Sequence, residues 1–155
     1  AKVAYEQGYN LVLDGRPQEG LEKLLPLEEE HSDWWNLMFF IGLAYRMEKD
    51  YEKAINYFQK VTVLNTGHVE TFNEIGLCYM SMNYFEQAYK VFEEAVKMNP
   101  NNSELLCNQG ISALQLQRFD EAESLLHDAQ RANPEDEIIT AWLREVEKVK
   151  NQEMN

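Results

Sequence analysis

Cysteine is scarce in this chain of 155 residues: Cys78 and Cys107 are the only two. Two thiols cannot staple a chain of this size, so no disulfide framework is expected. Both read as buried thiols of a reducing compartment, which points to a cytoplasmic protein. Positive charge is scarce as well, with 14 Lys and Arg against 27 Asp and Glu and a net charge of −13. Binding a phosphate backbone needs clustered Lys and Arg, so nucleic acid is not an expected partner. The same deficit argues against docking on anionic lipid. Long apolar runs are missing too. The longest, Leu37 to Tyr45, has nine residues, about half a membrane span, so no membrane insertion is expected. No charged-then-apolar leader opens the sequence, so no secretory signal is expected. A first residue of Ala rather than Met suggests processing or excision from something longer. What the chain does have is a hydrophobic fraction of 45%, enough for a core and too much for wholesale disorder.

Glycine is also sparse, and its placement is regular. Gly8, Gly42, Gly76 and Gly110 follow one another at steps of 34 residues. Other positions keep the same step: Leu11, Tyr45, Tyr79 and Ala113; Gly20, Ala54, Ala88 and Ala122; Leu24, Phe58, Phe92 and Leu126; Leu27, Val61, Ala95 and Ala129. An alternation of large and small residues held in register over 136 residues is the signature of a repeat architecture.

Each unit reads as two helices. In the third, Phe72, Ile75, Gly76 and Tyr79 fall at helical spacing. Residues 82–85 break the pattern for a turn, and Ala88, Phe92 and Ala95 resume it on one face. Asn99-Pro100 ends the second helix, because Pro cannot continue one. A glycine inside a helix costs about 1 kcal/mol against Ala, so four at one spacing need a common gain. That gain is close approach of the two helices of a hairpin, with the small residues at 54, 88 and 122 as matching contacts and large residues filling the remainder. Residues 137–150 add an amphipathic stripe of Ile138, Ile139, Trp142, Leu143, Val146 and Val149. It reads as a terminal cap of the kind repeat arrays require.

No catalytic or metal constellation accompanies the repeat. His31, His68 and His127 share no helical face with one another or with a cysteine, so zinc spacing is absent. Each reads as structural or solvated. Cys107 lacks a suggested partner and an electropositive setting. The glycines lie singly inside helices and form no phosphate-cradling loop. Glu28-Glu29-Glu30 reads as a solvated helix end. Neither an enzyme nor a cofactor is expected.

These residues resemble the tetratricopeptide repeat family, whose period is 34 and whose pattern runs large, Leu, Gly, Tyr, then Ala, Phe, Ala and Pro. Unit three matches at Phe72, Ile75, Gly76, Tyr79, Ala88, Phe92, Ala95 and Pro100. Unit four matches at Leu106, Gly110, Ala122, Leu126, Ala129 and Pro134, but has Gln109 and Ala113 where the pattern has Leu and Tyr. Unit two matches from Met38 to Val61, with Thr66 in place of Pro. Unit one is degraded, and Pro26 should end or kink its second helix. The resemblance implies an all-α fold: a right-handed α-solenoid of four helical hairpins (1–34, 35–68, 69–102, 103–136) in one domain over 1–155, with a capping helix at 137–150.

The resemblance also implies a concave wall built from the first helix of each unit, where a protein or peptide segment binds. Its inner places hold Tyr5 and Tyr9; Asn36, Phe39, Phe40, Leu43, Arg46 and Met47; Glu70, Asn73, Glu74 and Leu77; and Glu104, Asn108 and Ile111. The wall is aromatic near its start, with carboxylates farther along. Related domains that dock chaperone tails are similar to one another in a clamp of Lys, Asn and Arg for two carboxylates. Here the clamp places hold Tyr5, Tyr9, Phe40, Glu70 and Glu74 in one frame and Phe39, Leu43, Glu74, Glu104 and Asn108 in the other. Neither frame supplies the cations, so capture of an acidic tail is not expected, whereas an apolar or basic segment suits the wall. The expected function is therefore an interaction module or scaffold. Two alternatives stand beside it: a secretion chaperone, since chaperones of type III translocators are similar in size, acidity and architecture, and a structural segment of a larger multidomain protein. Trp34 and Trp35, adjacent at a unit boundary, add self-association to the expected partners.

Overall fold

The computed structural model describes residues 1–154. Among these, the chain forms nine α-helices, one 3-10 turn and no strand. Contacts gather the helices into two units, Ala1–Met82 and Asn83 onward.

The first unit contains α1 (Lys2–Leu13), α2 (Pro17–Leu24), a 3-10 turn at Leu25–Leu27, α3 (Trp35–Met47), α4 (Tyr51–Leu64) and α5 (Val69–Ser81). Helices α1 and α2 pair as a hairpin, as do α3 and α4; α3 rests on both helices of the first hairpin, and α5 rests on α4 and α3. Pro17 opens α2 at a position where its missing N–H is no loss. Pro26 stops that helix at Leu24 and leaves the 3-10 turn in its place. The second unit contains α6 (Phe85–Met98), α7 (Ser103–Gln115), α8 (Phe119–Ala132) and α9 (Glu137–Met154). Helix α7 packs on α6 and forms a hairpin with α8, and α9 lies against α8 and α7. The last helix thus runs past residue 150.

The starts of α3, α5, α7 and α9 step by 34 residues, and so do those of α2, α4, α6 and α8. The turns that follow α1, α3, α5 and α7 keep the same step. Gly15, Lys49, Asn83 and Gln117 all have φ between 61° and 80°, in the left-handed region. At Gly15 the N–H reaches the Val12 carbonyl at 3.1 Å while the Arg16 N–H reaches Leu11 at 2.9 Å. The same two bonds recur as Lys49 to Arg46 and Asp50 to Tyr45, and as Gln117 to Leu114 and Arg118 to Ala113, each at 2.9 Å. This pairing satisfies carbonyls that a helix end leaves open. Asp50 and Asn102 close the opposite ends of α4 and α7, accepting from the backbone N–H groups of Lys53 and Leu105.

The in-helix glycines hold the hairpins together. A Cβ at Gly8 would lie 2.5 Å from the Leu24 side chain, at Gly42 2.7 Å from the Phe58 ring, and at Gly110 2.9 Å from Leu126. The glycine therefore seats the large residue sixteen positions later, and Leu24, Phe58 and Leu126 are wholly buried. The large residues thus do more than fill the remainder, because a bare helix backbone offers each of them a flat floor. In the first hairpin the small residues close in as well: a Cβ at Gly20 would come 3.0 Å from the Gly8 carbonyl oxygen.

Glu28 is not merely solvated. Its carboxylate accepts from the Tyr57 hydroxyl at 2.7 Å and pairs with Lys60 at 3.1 Å, tying the end of the first hairpin to α4. Burial, together with this carboxylate, pushes the Tyr57 phenol well above its usual range.

Substitutions at the glycines and the turns put this packing to the test. Gly42→Ala gains about 1 kcal/mol of helix propensity but forces a methyl into the buried Phe58 ring, an overpacking cost of about 1–3 kcal/mol. Thermal unfolding should show a lower Tm, whereas Gly67→Ala, with nothing near its Cβ and an ordinary φ, should leave Tm level or raise it. Lys49→Gly relieves a left-handed non-glycine residue and should stabilise the protein by about 0.5–1 kcal/mol in urea unfolding.

Candidate protein-interaction surface

One turn of helix separates Tyr5 from Tyr9, so both project from one side of α1. Helix α3 brings Phe40 against them. The Tyr9 and Phe40 rings stack with centroids 5.1 Å apart, and Tyr5 meets Tyr9 at 5.1 Å and the edges of Phe40 and Trp34 at 6.2 Å. All four rings are half-buried. Each is held by its neighbours and still presents a face to solvent. Lys2, Tyr5, Trp34 and Asn36 line an open cleft of about 340 Å³ beside them. Asn36 hydrogen-bonds the Tyr5 hydroxyl, yet burial and the nearby Tyr9 win, and the phenol is shifted above its usual range.

The neighbouring ring, Phe39, sits differently. It is 8% exposed and packs against Phe40, Phe58 and His68, so it forms the floor under this surface. His68 lies between Trp35 and Phe39, and its Nδ1 is 2.7 Å from the Thr71 hydroxyl. His31 stacks on Trp34 with ring centroids 3.9 Å apart. These two histidines are packing groups. Neither tryptophan stands clear of the fold: Trp34 joins the aromatic cluster, and Trp35 packs on His68.

Farther along α3, Leu43 is half-buried and Met47 is exposed. Arg46 forms an ion pair with Glu74 of α5, so the one basic side chain expected on this wall is already neutralised. Leu77 and Asn73 lie half-buried on α5, with Glu70 exposed one turn earlier. In the second unit, α7 carries Glu104 exposed, Asn108 half-buried and Ile111 buried. The structure thus gathers the expected residues of α1, α3 and α5 within the first unit and places Glu104, Asn108 and Ile111 together on α7. Trp34, expected only as a self-association contact, is the ring of this cluster that the sequence did not place on the wall. Its signal was position: it stands immediately before α3, where its ring can fold back onto α1.

Chemistry is muted here. Burial pushes the Cys78 thiol up to about 12, outweighing the nearby Arg46, and pushes Cys107 up to about 11, helped by Asp136 and Glu104. Both are free cysteines. No group of His, Cys, Asp or Glu suited to a metal ion occurs among the described residues. Nor is any described helix long and apolar enough to cross a membrane.

Comparison with known proteins accords with this architecture. Tetratricopeptide repeat models match residues 35–68 and 79–142, together more than half of the chain. Among solved structures, the chain is similar to MamA 41-end from Desulfovibrio magneticus RS-1, with a TM-score of 0.90 at 19% identity over 97% of this chain and 85% of that one. It is also similar to the Arabidopsis OM64 TPR domain, with a TM-score of 0.70 at 19% identity over 74% and 94%. A third is the first TPR of Spaghetti (RPAP3) bound to the HSP90 peptide SRMEEVD, with a TM-score of 0.73 at 18% identity over 76% and 93%. No curated protein matches the chain. The chain belongs to the tetratricopeptide repeat family, and its fold class is that family's all-α solenoid of helical hairpins. The family assignment points to a protein–protein interaction scaffold.

The thiols provide a direct check on burial. Alkylation by iodoacetamide at mildly alkaline pH should run at least about 100-fold slower on the native protein than on the urea-unfolded chain, because the folded thiols hold almost no thiolate.

Proposed function

We propose that the chain is an interaction scaffold that holds an apolar or basic peptide segment on the surface formed by α1, α3 and α5. The observation that carries this reading is the cluster of Tyr5, Tyr9, Trp34 and Phe40. Four rings held against one another, each half-exposed, give a large contact area whose ordering is already complete before a partner arrives. Such aromatic anchors dominate binding energies at protein interfaces. Leu43, Leu77 and Met47 extend the apolar area, and Met adds adaptable contact. Glu70 and the net charge of −13 make the setting hospitable to lysine and arginine. Glu104, Asn108 and Ile111 form a smaller strip on α7 with the same mixture of apolar and acidic groups.

The acidic peptide SRMEEVD, bound to the similar RPAP3 domain, is a poor model for this partner. A clamp for carboxylates needs unpaired cations, and the matching places here hold Tyr5, Tyr9, Phe40, Glu70 and Glu74, while Arg46 is paired with Glu74. Binding rather than catalysis is the activity proposed, in a reducing compartment suited to two free thiols.

The test pairs affinity capture with an array of overlapping peptides cut from the captured proteins. Leu43→Glu with Leu77→Glu, both half-exposed, should leave the helical circular dichroism and Tm near those of the parent. The double change should weaken peptide binding at least about tenfold. Undiminished binding by this variant would place the partner elsewhere on the molecule.

A further inference from the structure

The second unit holds a larger cleft, of about 650 Å³, away from the residues assigned above. It is bounded by Leu114 at the end of α7, Phe119 at the start of α8, and Trp142 and Val149 on α9, with Glu145 and Glu153 on α9 at its edge. Its apolar lining follows from the width of the stripe on α9. Ile139, Leu143 and Val146 are buried in the helix that packs on α8 and α7. Trp142 and Val149 fall to one side of that line and are only half-buried, and Ile138, one turn before Trp142, is 65% exposed. One helix contact cannot bury so broad a stripe, and Trp142 and Val149 line the cleft.

Charge at the edge defines what would fill it. Lys150 is committed to Asp120 at 2.8 Å and Glu123 at 3.4 Å. Arg118 pairs with Glu86 at 2.9 Å and lies over the Tyr89 ring. Arg144 and Lys148 do not line the cleft. Glu145 and Glu153 have no cationic partner among the described residues. An adjoining cleft of about 460 Å³ shares Gln117, Phe119 and Glu153 and adds Asp120 and Glu121 together with Arg118 and Lys150, both already in ion pairs. Two turns of α9 separate Glu145 from Glu153, about 12 Å along the axis, which roughly four residues of extended peptide would span.

We propose that this cleft is a second docking site, taking a large apolar side chain of a peptide segment whose lysine or arginine residues, three or four positions apart around it, pair with Glu145 and Glu153. A second copy of the chain is the disfavoured occupant, because like charges would meet across such a contact. The site shares no residue with the α1, α3 and α5 surface and stands or falls separately from it.

A display library of short random peptides, selected on the parent protein and on the Glu145→Lys/Glu153→Lys variant, tests this. Both substituted residues are exposed, so the variant should fold normally, as circular dichroism would verify. The parent should enrich peptides with a large apolar residue flanked by Lys or Arg at that spacing. A synthetic peptide of the enriched sequence should shift amide NMR signals of residues 114–119 and 141–153. It should bind the variant at least about tenfold more weakly, and the parent more weakly as salt is raised. Enrichment of acidic peptides, absence of any consensus, binding unchanged in the variant, or shifts confined to α1, α3 and α5 would each overturn the proposal. So would sedimentation showing a dimer that the variant abolishes.

Discussion

The contact between an in-helix glycine and the large side chain sixteen residues later underlies everything else in this molecule. Helices of this length are marginal alone in water, so each must be held by a neighbour. At Gly42 the absent side chain lets the Phe58 ring lie directly on the backbone of α3, with no exposure to solvent. Gly8 with Leu24 and Gly110 with Leu126 repeat the arrangement. The loss in helix propensity at each glycine, about 1 kcal/mol, is offset by burying a Leu or Phe side chain, which contributes about 1.5–3 kcal/mol. The margin is small, and the fit at each crossing therefore matters.

Much of this was legible in the sequence because the glycine constraint is steric and cannot drift. At Gly8, Gly42 and Gly110 a methyl meets a buried side chain, so the glycine keeps its place even where the surrounding pattern fails. Other features leave no such trace. The left-handed turns at Lys49 and Gln117 were invisible because neither residue prefers that conformation; the two helix ends impose it, and only Gly15 and Asn83 announce it in their chemistry. Phe39 and Phe40 look interchangeable in a list of inner positions. Helical rotation sends one under the surface, against Phe58 and His68, and the other onto it, against Tyr9. Glu28 looks like one of three solvated carboxylates until α4 places Tyr57 and Lys60 beside it. Pairwise side-chain contacts of this kind depend on rotamers and crossing geometry, which periodicity does not encode.

The same distinction separates structural polar groups from recognition groups. Gln109 replaces the aliphatic residue found at Ile41 and Ile75 and is buried, where it hydrogen-bonds the Tyr89 phenol. Arg46 and Glu74 neutralise each other across α3 and α5. His68 is fixed by the Thr71 hydroxyl and two aromatic neighbours. These contacts lie inside the fold and help set the positions of the helices. In the proposed function, recognition falls to side chains with solvent-facing surface: half-exposed rings, Leu43, Leu77 and the outward carboxylates.

Under that proposal, selectivity follows from a combination of apolar contact and charge. Apolar contact alone would accept any oily segment of suitable shape, since hydrophobic attraction is not directional. The carboxylates add discrimination by penalising acidic partners, which would bring like charges together at a surface with few unpaired cations. Exposed carboxylates contribute little to affinity when each is considered singly. Their collective field over an excess of 27 acidic to 14 basic residues acts earlier, on which partners approach at all. On the proposed surface, rings held in place before binding would supply the affinity that such a field cannot, because their side-chain freedom was already lost on folding.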